Sequence, residues 1–423
     1  MSNEDYRYGR QVDLFGIVSI FFFVHLLLAV EGASTNRRPF QRCSAGRQTV
    51  SSNPETMTRR NFIRALLKWA KVGLMLQLFS WKVILRPTNA GASTDEPANR
   101  FKGLSLREIA RRRLHHEDSR FVNPFGEAGH KTIWEILHWK LFSPNPFRTD
   151  YEQEQVVPVS IDWEAVPQED GLSITFIKHS SLMITDGDQH ILVDPIFRGL
   201  SWFIQDFTPI VSDMTQMPRP DHVLITHGHY DHLDTDTLGS LHTDTHLITP
   251  LGYNDIFDEL GMAHRDTLDW FDTFDDGKRK ITLLPCNHWT MRNPLIGPNR
   301  SLWGSFLIET ATGPTIYIGG DTGYFRGFEE IGASFSIDLA IFNLGAYEPR
   351  WFMAPSHMNP RETVQAFKEL GAKRLLIVHW GTFRLGDEPV YLPPLQLSQE
   401  LERAGLLDRL VHLDHGETYR WGT

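Results

Sequence analysis

A buried strand that ends in a run of metal-type ligands leaves few folds open, and residues 223–234 have that form. Val223, Leu224 and Ile225 are apolar, two of them β-branched, which reads as a strand inside a sheet. The chain continues Thr226-His227-Gly228-His229-Tyr230-Asp231-His232-Leu233-Asp234. His227 and His229 alternate in extended backbone, so they point the same way. Asp231 and His232 follow where the chain turns toward a loop or helix start, and can face a second spot nearby. Gly228 lets the backbone pass close to whatever the histidines hold. Neutral imidazole with carboxylate suits zinc, and also iron or manganese. A lone His-x-His is common and uninformative; the full His-x-His-x-Asp-His after an apolar strand is specific.

Strands precede this cluster. Leu172 to Ile177 alternates, His179-Ser180-Ser181 reads as a turn, and Leu182–Ile184 and His190–Pro195 flank the hairpin signal Asp186-Gly187-Asp188. After the cluster, strands alternate with helical stretches. That order predicts an α/β fold with two mixed β-sheets and helices outside them. Asp194 ends one of the strands; it either orients a ligand histidine or forms an Asx turn before Pro195. Further along, His288 follows Ile281–Leu284, Asp321 follows Ile316–Ile318, and His379 follows Leu375–Val378. His357 lies in a loop before a helix over 361–370.

The pattern His227-x-His229-x-Asp231-His232 resembles the signature of the metallo-β-lactamase superfamily, which implies an αββα sandwich. With the strand-end residues it gives a division of ligands: His227, His229 and His288 on a first metal, Asp231, His232 and His379 on a second, Asp321 bridging. A bridging group must be anionic and accept from both sides, which fits Asp and not His. Two metals so held would share a hydroxide as nucleophile, so no Ser or Cys nucleophile is required. Asp231 and His357 are then the candidate catalytic groups, and His357 could hold a phosphoryl oxygen or protonate a leaving oxygen.

A closer resemblance rests on longer runs: Asn287-His288-Trp289, Gly320-Asp321-Thr322-Gly323-Tyr324, Gly345 to Met353, His357-x-Asn359-Pro360, His379-Trp380-Gly381-Thr382-Phe383 and Arg120-Phe121-Val122-Asn123-Pro124. These are similar to the N-acyl-phosphatidylethanolamine-hydrolysing phospholipase D group and its bacterial relatives. The resemblance implies two Zn2+, the seven ligands above, a substrate-facing His357, and cleavage of a phosphodiester in an N-acylated phospholipid. His357, Arg350 and Arg292 favour phosphate, with His357 and Arg350 as candidate substrate contacts. A lactone or β-lactam hydrolase using the same dinuclear site is the alternative. Lys178 departs from the Gly usual in that group before the His179 turn, and Gly199 to Pro218 is unlike the animal enzyme.

Composition narrows the rest. The chain has 423 residues, 41% hydrophobic and 22% charged, enough for one large α/β domain with N-terminal additions. A net charge of −10 argues against nucleic acid as a partner. The 12 Trp and 27 Phe would serve a lipid substrate, a membrane surface or a plain core, and a homodimer is left open. Cys43 and Cys286 do not point to a structural disulfide. Leu14–Val30 is apolar like a signal or anchor, and Arg59-Arg60 with the apolar run after it resembles a twin-arginine export signal or a basic amphipathic helix. The expectation is therefore a membrane-associated or exported protein, the cytoplasm staying open. The expected division is a targeting or membrane-associated, largely disordered region over 1–98, a helical extension over 99–160 and the hydrolase domain over 161–423.

Overall fold

Gly187, at φ +63°, lets the chain reverse between two strands, and the sandwich grows outward from that hairpin. The computed structural model describes residues 101–126, 131, 133–164, 166, 171–201, 204–293 and 296–422. The segments Leu14–Val30 and Arg59-Arg60 with its apolar run lie outside the described residues. Helix α1 (Leu106–Arg111), the short pair β1 (His116–Glu117) and β2 (Arg120–Phe121), and helix α2 (Ile133–Phe142) come first. Then follow β3 (Leu172–Lys178), β4 (Ser181–Asp186), β5 (Gln189–Val193), β6 (His222–Leu224), α3 (Thr235–Ser240), β7 (His246–Pro250), α4 (Asn254–Glu259) and β8 (Arg265–Leu268). The second half carries β9 (Thr273–Asp275), β10 (Lys280–Leu284), β11 (Ser305–Glu309), β12 (Thr315–Ile318), α5 (Gly327–Ser334), β13 (Leu339–Asn343), α6 (Arg350–Met353), α7 (Pro360–Leu370), β14 (Arg374–Val378), α8 (Leu392–Ala404) and β15 (Thr418–Arg420).

One sheet runs β15-β3-β4-β5-β6-β7-β8, the other β14-β13-β12-β11-β10-β9. Both are mixed. The first is antiparallel from β15 to β5 and parallel from β5 to β8; the second is antiparallel from β9 to β12 and parallel from β12 to β14. The expected αββα sandwich is what the chain forms.

Side-chain alternation builds the layers. Ile174, Phe176, Ile184, Ile191 and Leu224 of the first sheet meet Ile281, Leu283, Phe306, Ile318 and Ile341 of the second. The opposite face of the second sheet, including Leu307, Tyr317, Phe342 and Ile377, packs on Phe328, Phe367 and Leu401 of α5, α7 and α8. The outer face of the first sheet, including Met183, Leu192 and Val223, packs on Leu238 and Phe257 of α3 and α4. Alternation puts the adjacent Phe176 and Ile177 into different cores, and a register shift between Phe176 and Lys178 follows just before His179.

The expected extension over 99–160 shares these cores: Phe101, Ile109 and Ala110 lie between the sheets, and Leu106 joins the α5–α7 layer. Asp269 draws His115 and His116 in, with Nε2–Oδ distances of 2.6 and 2.8 Å. Trp139 of α2 donates to Asp387 at 2.9 Å and packs on Phe352 of α6.

Across the far edge of the sandwich, Arg279 is buried and pairs with the equally buried Asp186 at 2.6 Å. Asp186 also accepts from the backbone N–H groups of Ala311 and Thr312. This pair ties the β4–β5 hairpin to the second sheet. Removing one partner leaves a buried charge uncompensated, which costs about 3–5 kcal/mol. Arg279→Ala should lose about that much stability in chemical denaturation; a loss under about 1 kcal/mol would show the pair to be dispensable.

Candidate metal centre

The chemistry-bearing residues sit where strands end. His179 follows β3, Asp194 follows β5, His227 to His232 follow β6, Asp321 follows β12, Asn343 ends β13 and His379 follows β14. The loop after β10 supplies His288. Because both sheets end on the same side, these residues meet across the top of the sandwich.

They form two groups. His227, His229, His288 and Asp321 bring one ligand atom each to within 4.8 Å of one another, and so do His179, Asp231, His232 and His379. Asp321 faces both. Its Oδ2 lies 3.8 Å from His227 Nε2, 3.8 Å from His288 Nε2 and 3.3 Å from His232 Nε2. Its Oδ1 lies 3.3 Å from His379 Nε2 and accepts from Asn343 Nδ2 at 2.8 Å.

Hydrogen bonds behind the rings decide which nitrogens are bare. The Thr226 hydroxyl donates to Asp194 Oδ2 at 2.6 Å, so its oxygen accepts from His227 Nδ1, 3.0 Å away. His288 Nδ1 donates to the Ser356 carbonyl at 3.2 Å, and His232 Nδ1 donates to Asp194 Oδ2 at 2.8 Å. In each ring Nε2 is therefore left with its lone pair pointing inward. The Nε2 atoms of His227 and His288 then stand 2.9 and 3.3 Å from His229 Nδ1, so three ring nitrogens converge on one spot. His232 Nε2 and His379 Nε2 are buried with no hydrogen-bond partner. This donor set fits divalent metal ions, and each group has the nitrogen-rich composition that zinc, iron and manganese share.

The electrostatics of the first group agree. Burial pushes the His227 and His288 imidazoles well below their ordinary pKa, and His229 to about 4, so all three are neutral, the ligating form. Burial opposes ionisation of Asp321, but His379, His232 and His357 outweigh it and hold the carboxyl well below the usual range. Asp231 is held low in the same way, against burial, by the nearby His232 ring and by a hydrogen bond from His179.

A family profile described as "Beta-lactamase superfamily domain" matches residues 189–380. The chain is 27% identical, over a 440-residue alignment covering 91% of each chain, to the N-acyl-phosphatidylethanolamine-hydrolyzing phospholipase D, mitochondrial, of Saccharomyces cerevisiae. It is 28% identical over 322 residues to the N-acyl-phosphatidylethanolamine-hydrolyzing phospholipase D 1 of Caenorhabditis elegans, covering 71% of this chain and 90% of that one. The fold is shared with a possible metal-dependent hydrolase from Veillonella parvula, at a TM-score of 0.50 and 16% identity over 59% of this chain and 100% of that one.

The chain belongs to the metallo-β-lactamase superfamily.

This superfamily member brings together all seven expected ligands, with His357 beside them: His357 Nδ1 lies 3.9 Å from Asp321 Oδ2, and 15% of its side chain is exposed. Asp194 takes the orienting role and not merely that of a turn, since it holds Thr226 and His232 at once. Asp234, the last carboxylate of the histidine run, caps α3 by accepting from Asp236 and Thr237.

Three expectations need correction. Arg350, expected as a free cation for the substrate, is engaged within the protein: its guanidinium donates to the carbonyls of Tyr347 and His357 and pairs with Glu362 at 2.7 Å. Arg292 donates to the carbonyls of Gly228 and Leu233 and stacks on Tyr230, so it braces the histidine loop. The membrane-associated or exported placement is withdrawn. Among the described residues no helix is long and apolar enough to cross a membrane, and the yeast relative is named as mitochondrial.

Two residues escaped sequence reading. Asn343 is a strand-end amide with no local signal. His179 reads as part of a turn, yet its Nε2 lies 3.0 Å from Asp231 Oδ2; its place at the end of an apolar strand is the cue it shares with His227, His288 and His379.

Asp194→Ala should loosen His232 and lower metal affinity about 10–100-fold, measured by chelator competition. Unchanged affinity would leave Asp194 a loop former only.

Proposed function

We propose that this hydrolase is a phosphodiesterase of phospholipase D type, acting on N-acyl-phosphatidylethanolamine-like lipids with two zinc ions as cofactor. The observation that carries the reading is the meeting of two ligand groups on one carboxylate, Asp321, with a non-ligand histidine, His357, beside it. The two phospholipase D relatives, matched along 91% and 90% of their lengths, support the substrate class.

His227, His229 and His288 would hold one ion, Asp231, His232 and His379 the other, and Asp321 both. Two such cations polarise a phosphoryl oxygen and bring the pKa of bound water down to about 7. The chain's own part is to aim ligands, exclude water and meet the substrate. The buried partners Asp194, Ser356 and Asn343 fix His232, His288 and Asp321 through the hydrogen bonds behind them. Burial pushes the His357 imidazole down to about 4, so at neutral pH it carries no proton to give away cheaply. Its role is to donate a hydrogen bond to a phosphoryl or leaving oxygen. Arg350 serves that role indirectly, since it grips the His357 carbonyl and Glu362, whose carboxylate also closes the capping box of α7. Tyr230, 59% exposed beside the histidine loop, offers an aromatic edge suited to an acyl chain.

The test is elemental analysis together with turnover of N-acyl-phosphatidylethanolamine, followed as release of phosphatidic acid and N-acylethanolamine with and without chelator. Two zincs per chain and chelator-sensitive cleavage are expected. Two metals without phosphodiester cleavage, but with opening of a lactone or β-lactam, would replace the reading. Asp321→Asn should abolish turnover and lower metal content, and a fully active, metal-replete variant would defeat the bridging role. His357→Ala should lose about 10²–10³ in kcat with metal content unchanged. Loss of metal instead would make His357 a ligand.

A further inference from the structure

We infer that His179 is a positioning residue for the second ligand group, and not an eighth ligand. This rests on reading the two groups as metal sites. The His179 ring is fully buried and packs on the ring of His379, centroids 4.1 Å apart, and on Phe383 at 5.0 Å. Its Nε2 lies 3.0 Å from Asp231 Oδ2, while its Nδ1 is buried with no hydrogen-bond partner. A hydrogen on Nδ1 would be an unsatisfied buried donor, so the ring's hydrogen belongs on Nε2, where Asp231 accepts it. A nitrogen that carries that hydrogen has no lone pair for a metal.

The same oxygen of Asp231 lies 3.5 Å from His232 Nε2 and 3.4 Å from His379 Nε2. A carboxylate oxygen has two lone pairs, so one accepts from His179 and the other is turned toward the nitrogens of the ligand group. The backbone repeats the arrangement. The N–H of His379 donates to the carbonyl of His179 at 2.7 Å, and the N–H of His179 donates to Thr382 Oγ1 at 2.9 Å. One residue thus fixes Asp231 through its side chain and His379 through its main chain. Both histidines adopt left-handed backbone, φ +50° at His179 and +71° at His379. For residues with a Cβ that conformation is costly and persists only where surroundings over-determine it.

His179→Phe keeps the ring packing and removes the donor; His179→Gln keeps an N–H donor of similar reach. His179→Ala gives the same comparison if the phenyl ring does not fit, and circular dichroism checks each fold. The readout is zinc binding by chelator competition, with cobalt(II) absorption reporting the second ion's ligand field. In the parent chain two ions should bind. In His179→Phe the weaker-held ion should lose about 10–100-fold affinity and shift its cobalt spectrum, and His179→Gln should recover most of both. Parent-like binding of both ions in His179→Phe and His179→Ala would overturn the positioning role alone. Equal loss in His179→Gln and His179→Phe would also overturn it, in favour of direct ligation by the imidazole. A parent chain that binds no divalent metal would overturn both this inference and the functional reading beneath it.

Discussion

A carboxylate taken out of water must be compensated, and Asp321 is 3% exposed. Five histidine nitrogens approach its two oxygens within 4 Å: His232 and His379 at 3.3 Å, His227 and His288 at 3.8 Å, and His357 at 3.9 Å. These histidines come from both sheets and from the loop before α7, so the cations that would compensate Asp321 can be held only when the sandwich is closed. Folding and site assembly are thus one event on this face of the molecule. The interior between the sheets is apolar, and the polar atoms gather only where strands stop.

That concentration has a backbone signature. Asp194, His179, Ala346 and His379 have φ of +40°, +50°, +55° and +71°, all in the left-handed region. Each lies at or next to a strand end that feeds the site. Packing leaves them no alternative: a Cβ on Gly345 would come within 2.2 Å of the His379 carbonyl, and one on Gly320 within 3.0 Å of the Thr226 side chain. Strand ends therefore approach closely where glycine permits, and the neighbouring residues absorb the torsional cost. The ligands are pre-organised by that rigidity and by hydrogen bonds such as Asp194 to His232, not by their own rotamer preferences.

Much of this was readable from one pattern repeated. An apolar, β-branched run followed by His or Asp marks a strand end that carries chemistry, and it found His227, His288, Asp321 and His379. The hairpin at Gly187 and the two-sheet order followed from alternation and turn residues. His179 fits the same pattern but was masked by the serines after it, which read as turn formers. Asn343 carries no local signal, since an amide becomes functional only when another strand brings Asp321 against it. Arg350 failed for the converse reason. Charge suggested a substrate contact, but its partner Glu362 is on the next helix, and three of the guanidinium's N–H groups are engaged with Glu362 and with the carbonyls of Tyr347 and His357. Long-range pairing of charges is what a single sequence conceals.

The same pairing bears on which substrates the site can accept. Lys178 is buried against Asp206 at 2.6 Å, Arg292 is held by two carbonyls, and Arg350 is held by two carbonyls and Glu362. These cations stabilise loops and do not reach toward a ligand. On the phosphodiesterase reading, the charge of a bound phosphate is met by the two ions and by hydrogen bonds such as that from His357. Asp231 and Asp321 already neutralise part of the ions' charge. Two divalent ions would bring four positive charges and the two carboxylates remove two, so the surplus suffices for one phosphate group, whichever ester it carries. A diester brings a single negative charge and two ester oxygens, one of which leaves. The paired loop cations thus leave a bound phosphate, on that reading, to the two ions and to His357.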